Sequence, residues 1–142
     1  LFYLFLSKEF PIFIKIILLV APPQRSSVPI IRRLIEIYKL WHEYMKDFPK
    51  ISRYSLGSKI DSLFIELIGL LFSASYLAAK EKLPVLLKAS NNLDLLKFFL
   101  EIAWEMKLLD NKKYIALSEK SQEVGNMLGG WRKQIISQTP FK

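Results

Sequence analysis

After Ala21 the apolar residues of this chain recur every three or four positions, the spacing of one face of a helix. Ile30, Leu34, Ile37, Trp41, Tyr44 and Phe48 predict a first helix over residues 29–48. Arg32, Glu36, Lys39, Glu43 and Lys46 alternate in sign on its other side, which makes that side a solvated face. Pro49 stops the pattern, because proline biases Phe48 away from the helical region. A second helix is expected over residues 53–79, with Ser52 as its N-cap. It is the most apolar segment of the four, with no charged residue between Glu66 and Lys80. Leu56, Ile60, Leu63, Leu67, Leu71, Ala74 and Ala78 form one stripe, and Phe64, Ile68, Phe72 and Ser75 a second beside it. Two apolar stripes call for two covered faces, so this helix is expected to need a cover beyond its own bundle.

Lys80, Glu81 and Lys82 read as a turn, and Pro84 suits the first turn of a third helix over residues 84–108. Leu86, Ala89, Leu93, Leu96, Leu100 and Ala103 carry its seam. Asp110 and Asn111 signal a turn and cap before a fourth helix over residues 112–136, with Tyr114, Leu117, Ser121, Val124, Leu128, Trp131 and Ile135 inward. Steps alternating between three and four residues produce the seam of left-handed bundles. The expected fold class is all-α: an antiparallel up-down-up-down four-helix bundle over residues 26–138, with an apolar N-terminal extension (residues 1–25) and a tail (residues 139–142).

Residues 1–21 are apolar but interrupted by Lys8, Glu9, Pro11 and Lys15. A membrane span needs about 20 apolar residues, and each central charge costs on the order of 3 kcal/mol. A signal peptide fits loosely, and an additional packed element is a third reading. The expectation taken here is upstream sequence outside the functional domain, since nothing in it matches the period that follows. A membrane anchor is thus not the favoured reading, and a cytoplasmic location is expected. Ala21-Pro-Pro-Gln-Arg-Ser-Ser-Val-Pro29 reads as a linker in which Ser26 or Ser27 can cap the first helix.

With 142 residues the chain has length for one domain, and its 51% hydrophobic content permits a packed core. No cysteine is present, which excludes disulfides and thiolate chemistry. Lys and Arg number 21 against 13 Asp and Glu, a net charge of +8 that favours a polyanionic partner. His42 is the only histidine, and Lys39 stands where a bundle di-iron site would place Glu. No histidine pair for zinc and no phosphate-cradling glycine loop is present. No catalytic, metal or cofactor residues are therefore assigned, and an enzyme is not expected.

Two residue sets remain. Arg53, Lys59, Lys112 and Lys113 would gather at one end of an antiparallel bundle, and Arg132 and Lys133 sit near the far end of the fourth helix. These six are the candidates for contacting phosphate. Gly125, Gly129 and Gly130 lie in one helix although each glycine costs about 1 kcal/mol relative to alanine. With Leu128, Trp131, Phe64, Ile68 and Phe72 they are the candidates for close packing between helices or subunits. Gly57 and Gly69 on the second helix are read the same way.

Phe48-Pro-x-x-x-Arg53-Tyr-x-Leu56-Gly57, the long apolar helix after it, and Val124-Gly-Asn-Met-Leu-Gly-Gly-Trp131 resemble the four-helix-bundle accessory proteins of diversity-generating retroelements, the Avd group. The resemblance spans residues 29–136. A sister group, the proteins encoded in ribosomal RNA intervening sequences, typically carries Ser-Ile-x-x-Asn-Ile-Ala-Glu-Gly on helix two. Here that region reads Phe64-Ile-Glu-Leu-Ile-Gly-Leu-Leu-Phe-Ser-Ala, a poorer match to that group. The resemblance implies a basic homopentamer without catalytic residues, which binds RNA or DNA and associates with the retroelement reverse transcriptase during mutagenic copying. The alternatives are an intervening-sequence-type bundle protein, or a plain oligomeric scaffold without a nucleic-acid role, either of them membrane-anchored through residues 1–21.

Overall fold

A computed structural model describes residues 27–138, so the readings of residues 1–26 and of the tail lie outside the described residues. Four long helices account for most of these residues, with no strand among them. α1 is Ser27–Met45. A short helical turn, Lys50–Ser52, and a π-helical turn, Arg53–Gly57, lead without a break into α2, Ser58–Tyr76. α3 is Ala79–Glu105 and α4 is Asn111–Gln138.

The seams read from the sequence become the core. Ile30, Leu34, Ile37 and Trp41 of α1, all six seam residues of α3, and six of the seven on α4 (Leu117 to Ile135) are buried, while Tyr114 is half-buried. Trp41 meets Phe48 edge-on at 5.4 Å and stacks on Phe64 at 6.2 Å. Contacts between neighbouring helices pair residues in opposite order. Tyr38 and His42 of α1 face Phe64 and Asp61 of α2. Arg33 reaches Glu123 while Asp47 reaches Lys113, joining α1 to α4. Ser90 and Trp104 of α3 meet Arg132 and Asn111 of α4.

Several boundaries depart from the periodic reading, among them the end of α2 at Tyr76, short of 79. α1 stops at Met45 because Phe48 must take the extended conformation that precedes proline, yet the Phe48 side chain still enters the core. The second helix starts at Lys50, not Arg53, and Ser52 lies inside it without capping. Pro49 is the cap residue (φ −53°, ψ 147°), and its carbonyl accepts from Arg53 N at 2.9 Å. α3 starts five residues before Pro84. Extended backbone at Leu77 and Ala78 makes the turn, and the Ala78 carbonyl accepts from Glu81 N and Lys82 N. The charged triplet read as a loop is helical, and Lys82 within it is buried in the bundle. α3 then ends at Glu105, short of 108, because Lys107 adopts φ 62°. Leu108 N donates to Ala103 O and Lys107 N to Trp104 O, the Schellman arrangement with lysine where glycine is usual.

The second stripe of α2 divides. Phe64 and Ser75 are buried within the protomer, Ile68 is half-buried, and Phe72 is 49% exposed. α2 packs on both α1 and α3, so its buried sector is wider than one seam. Only Phe72, with Ile65 and part of Ile68, is left to a further cover.

Candidate nucleic-acid interface

The end of the bundle where α1 stops and α4 begins is built by capping interactions. Asp110 Oδ1 accepts from Lys113 N at 2.8 Å and so caps α4. Lys113 Nζ turns back to Asp47 Oδ2 at 3.1 Å and lies 5.4 Å from the centre of the Tyr44 ring. Arg53 Nη2 donates to the carbonyls of Lys46 and Phe48, each at 3.1 Å, satisfying acceptors left open where α1 ends. These bonds bring Arg53 and Lys113 to the same end, and each has a structural task there. Lys59 and Lys112 are exposed nearby. Lys50 and Lys107, which sequence reading did not single out, are exposed there too. Among the described residues no hydrogen bond or ion pair engages the side chains of Lys50, Lys59, Lys107 or Lys112, so all four charges face solvent.

Arg132 and Lys133 lie at the other end of α4, apart from this group. Arg132 Nη1 bonds Ser90 Oγ at 3.3 Å and is half-buried, while Lys133 is exposed. The glycines of α4 separate as well. The helix runs unbroken through Gly129 and Gly130, and neither has an atom within 4 Å of a built Cβ. Gly125 faces Leu93 Cδ2 at 3.6 Å, an ordinary contact. Leu128 and Trp131 are core residues of the protomer itself. Of the glycines on the second helix, Gly69 is open, while Gly57 is close-packed, with Met45 Sδ and Ser52 O both 3.3 Å from its built Cβ.

One long groove of the bundle is acidic. The groove between α3 and α4 is lined by Asp94, Glu101 and Glu119 against Lys97, whose Nζ is bonded to Gln122. That groove repels a phosphate chain. The periodic reading also missed a polar cluster on the outer face of α1 and α2. His42 Nε2 lies 3.0 Å from both Asp61 Oδ1 and the Tyr38 hydroxyl. Burial, helped by Asp61, pushes the Tyr38 hydroxyl above its ordinary pKa. The cluster ties α1 to α2. Tyr38 and His42 are one helical turn apart in the sequence, but only folding brings Asp61 to them.

Exposed apolar residues at this end lie on and beside the π turn and at the end of α3, where Met106 is 57% exposed. Ile51 is 82% exposed and Tyr54 72%. Trp104 stacks on Tyr114 at 5.0 Å beside a cleft lined by Glu105, Lys107, Leu109, Asp110 and Asn111. Among the described residues no group of three or more His, Asp or Glu is placed to hold a metal ion, and no helix is long and apolar enough to cross a membrane.

No curated protein and no solved structure matches the chain. A protein-family model described as bAvd-like matches residues 28–135, which include nearly all of the four helices. The chain belongs to the bAvd-like family.

Proposed function

We propose that this protein is a non-catalytic, homo-oligomeric accessory protein of a diversity-generating retroelement, acting in the cytoplasm. In this reading it binds RNA or DNA through its basic end and associates with the reverse transcriptase during mutagenic copying. The observation that carries the reading is family membership over residues 28–135. The net charge of +8 and four unengaged lysines at one end supply what a polyanion requires. Phe72 and Ile65, half exposed on α2, supply apolar surface for a subunit contact, for which a pentamer is the expected outcome.

Light scattering on the eluted protein gives the subunit number, and gel shifts across a salt series give the binding. An oligomer is expected, with affinity that falls steeply as salt rises. Co-purification with a retroelement reverse transcriptase tests the polymerase contact. A monomer that binds no nucleic acid at low salt and retains no polymerase overturns the proposal.

A further inference from the structure

Resting on the reading above, we infer that the π turn builds a base-stacking platform, and that the basic end therefore takes unpaired single strands in preference to duplex. Tyr54 and Ile51 project into solvent from a helix whose other large apolar side chains mostly point inward. Their exposures of 72% and 82% are the largest of any large apolar residue among the described ones. No hydrogen bond or ring contact engages Tyr54 among the described residues. Tyr54 is the second residue of the π turn. Gly57 lets the wide turn close against Met45, and Ser55 Oγ takes up the Ile51 carbonyl at 2.9 Å. π turns are rare and recur at functional sites.

The surroundings of the ring select the ligand. Residues 48–60 hold Lys50, Arg53 and Lys59 and no acid. Both flanking carboxylates are engaged elsewhere, Asp47 by Lys113 and Asp61 by His42. Arg53 is turned back onto the end of α1, where it holds the turn in place. Lys50 lies one turn before Tyr54. A π turn fits more residues per turn than an α turn, so it swings Lys59 round toward the Tyr54 side. The nine residues from Lys50 to Lys59 span roughly 13 Å at a rise of about 1.5 Å each. Lys50 and Lys59 thus stand before and after Tyr54 along the helix, both exposed, so that a base stacked on the ring has a lysine on either side for its flanking phosphates. Unpaired bases offer their faces for such stacking, whereas in a duplex those faces are already stacked on neighbours.

The test is fluorescence anisotropy on the full chain, with a labelled single strand and a hairpin duplex of matched composition, as RNA and as DNA. Wild type is expected to bind the single strand tighter than the duplex. Tyr54→Ala should lose roughly five- to hundredfold of the single-strand affinity, with duplex affinity and salt slope unchanged, while Tyr54→Phe retains it. Lys50→Ala combined with Lys59→Ala should instead flatten the salt slope, by about 0.7 for each phosphate no longer neutralised. Tyr54 is exposed, so the variants should fold as wild type, which circular dichroism verifies. Tyr54→Ala binding single strands as wild type does overturns the platform and leaves the broader function standing. Loss of polymerase co-purification in Tyr54→Ala, with strand binding intact, overturns it in favour of a protein contact. Failure of wild type to bind any strand overturns the broader reading itself.

Discussion

Replacing Lys82 with methionine should make the protein more stable. Lys82 is fully buried near the start of α3, and among the described residues its Nζ has no hydrogen-bond partner. The ammonium lies over the Trp131 ring, whose centre is 5.9 Å away. A buried donor left unpaired costs about 1–3 kcal/mol. A cation over an aromatic face returns about 0.5–2 kcal/mol, and this one sits near the outer limit of about 6 Å, so the return is small. Methionine keeps the length of the stem, removes the charge and places sulfur near the indole. The expected gain is about 1–2 kcal/mol, or a rise in Tm of about 3–8 °C for a chain of this size. Burial also lowers the pKa of Lys82, which determines the sign of its pH dependence. In the alkaline range below the ordinary lysine value the unfolded chain holds this proton more tightly than the folded one. Wild-type stability therefore carries a positive contribution to its slope with pH in that range, and Lys82→Met loses it. Urea unfolding followed by far-ultraviolet circular dichroism, at neutral and mildly alkaline pH and one protein concentration, measures both effects. A Lys82→Met protein no more stable than wild type, with the same pH slope, refutes the reasoning and requires an acceptor for the ammonium in the folded protein.

Substitutions at two further positions probe the turn between α3 and α4. Lys107 holds φ 62°, so Lys107→Gly should stabilise by about 0.5–1 kcal/mol while Lys107→Ala does not, as thermal melts will show. Asp110 Oδ1 caps α4, so Asp110→Ala should cost about 1 kcal/mol in urea unfolding and Asp110→Asn much less.

The stripes of α1, α3 and α4 were legible because a helix buries one sector, and residues at steps of three and four fall in it whatever the partner. Every seam residue of α3 is buried as the spacing requires. The family resemblance rested on two short motifs, and the first contains the π turn without disclosing it. Helix ends were less legible. Pro84 read as a start, yet α3 begins after extended backbone at Ala78 and contains buried Lys82, a residue whose charge argued for a loop. At the candidate site, the absence of acid between Asp47 and Asp61 was visible in the chain. The engagement of those two carboxylates by Lys113 and His42 was not.

The sequence by itself determined the helical class, the seams, the positive charge and the family, because each depends on local spacing or on totals. Tertiary structure alone decided which charges remain available. Arg53 and Lys113, singled out as candidates for contacting phosphate, are tied to the end of α1 and to Asp47, whereas Lys50 and Lys107 face solvent. It also decided how the second helix begins, with a π turn accommodated by Gly57 packing against Met45, a contact between segments that no periodicity encodes.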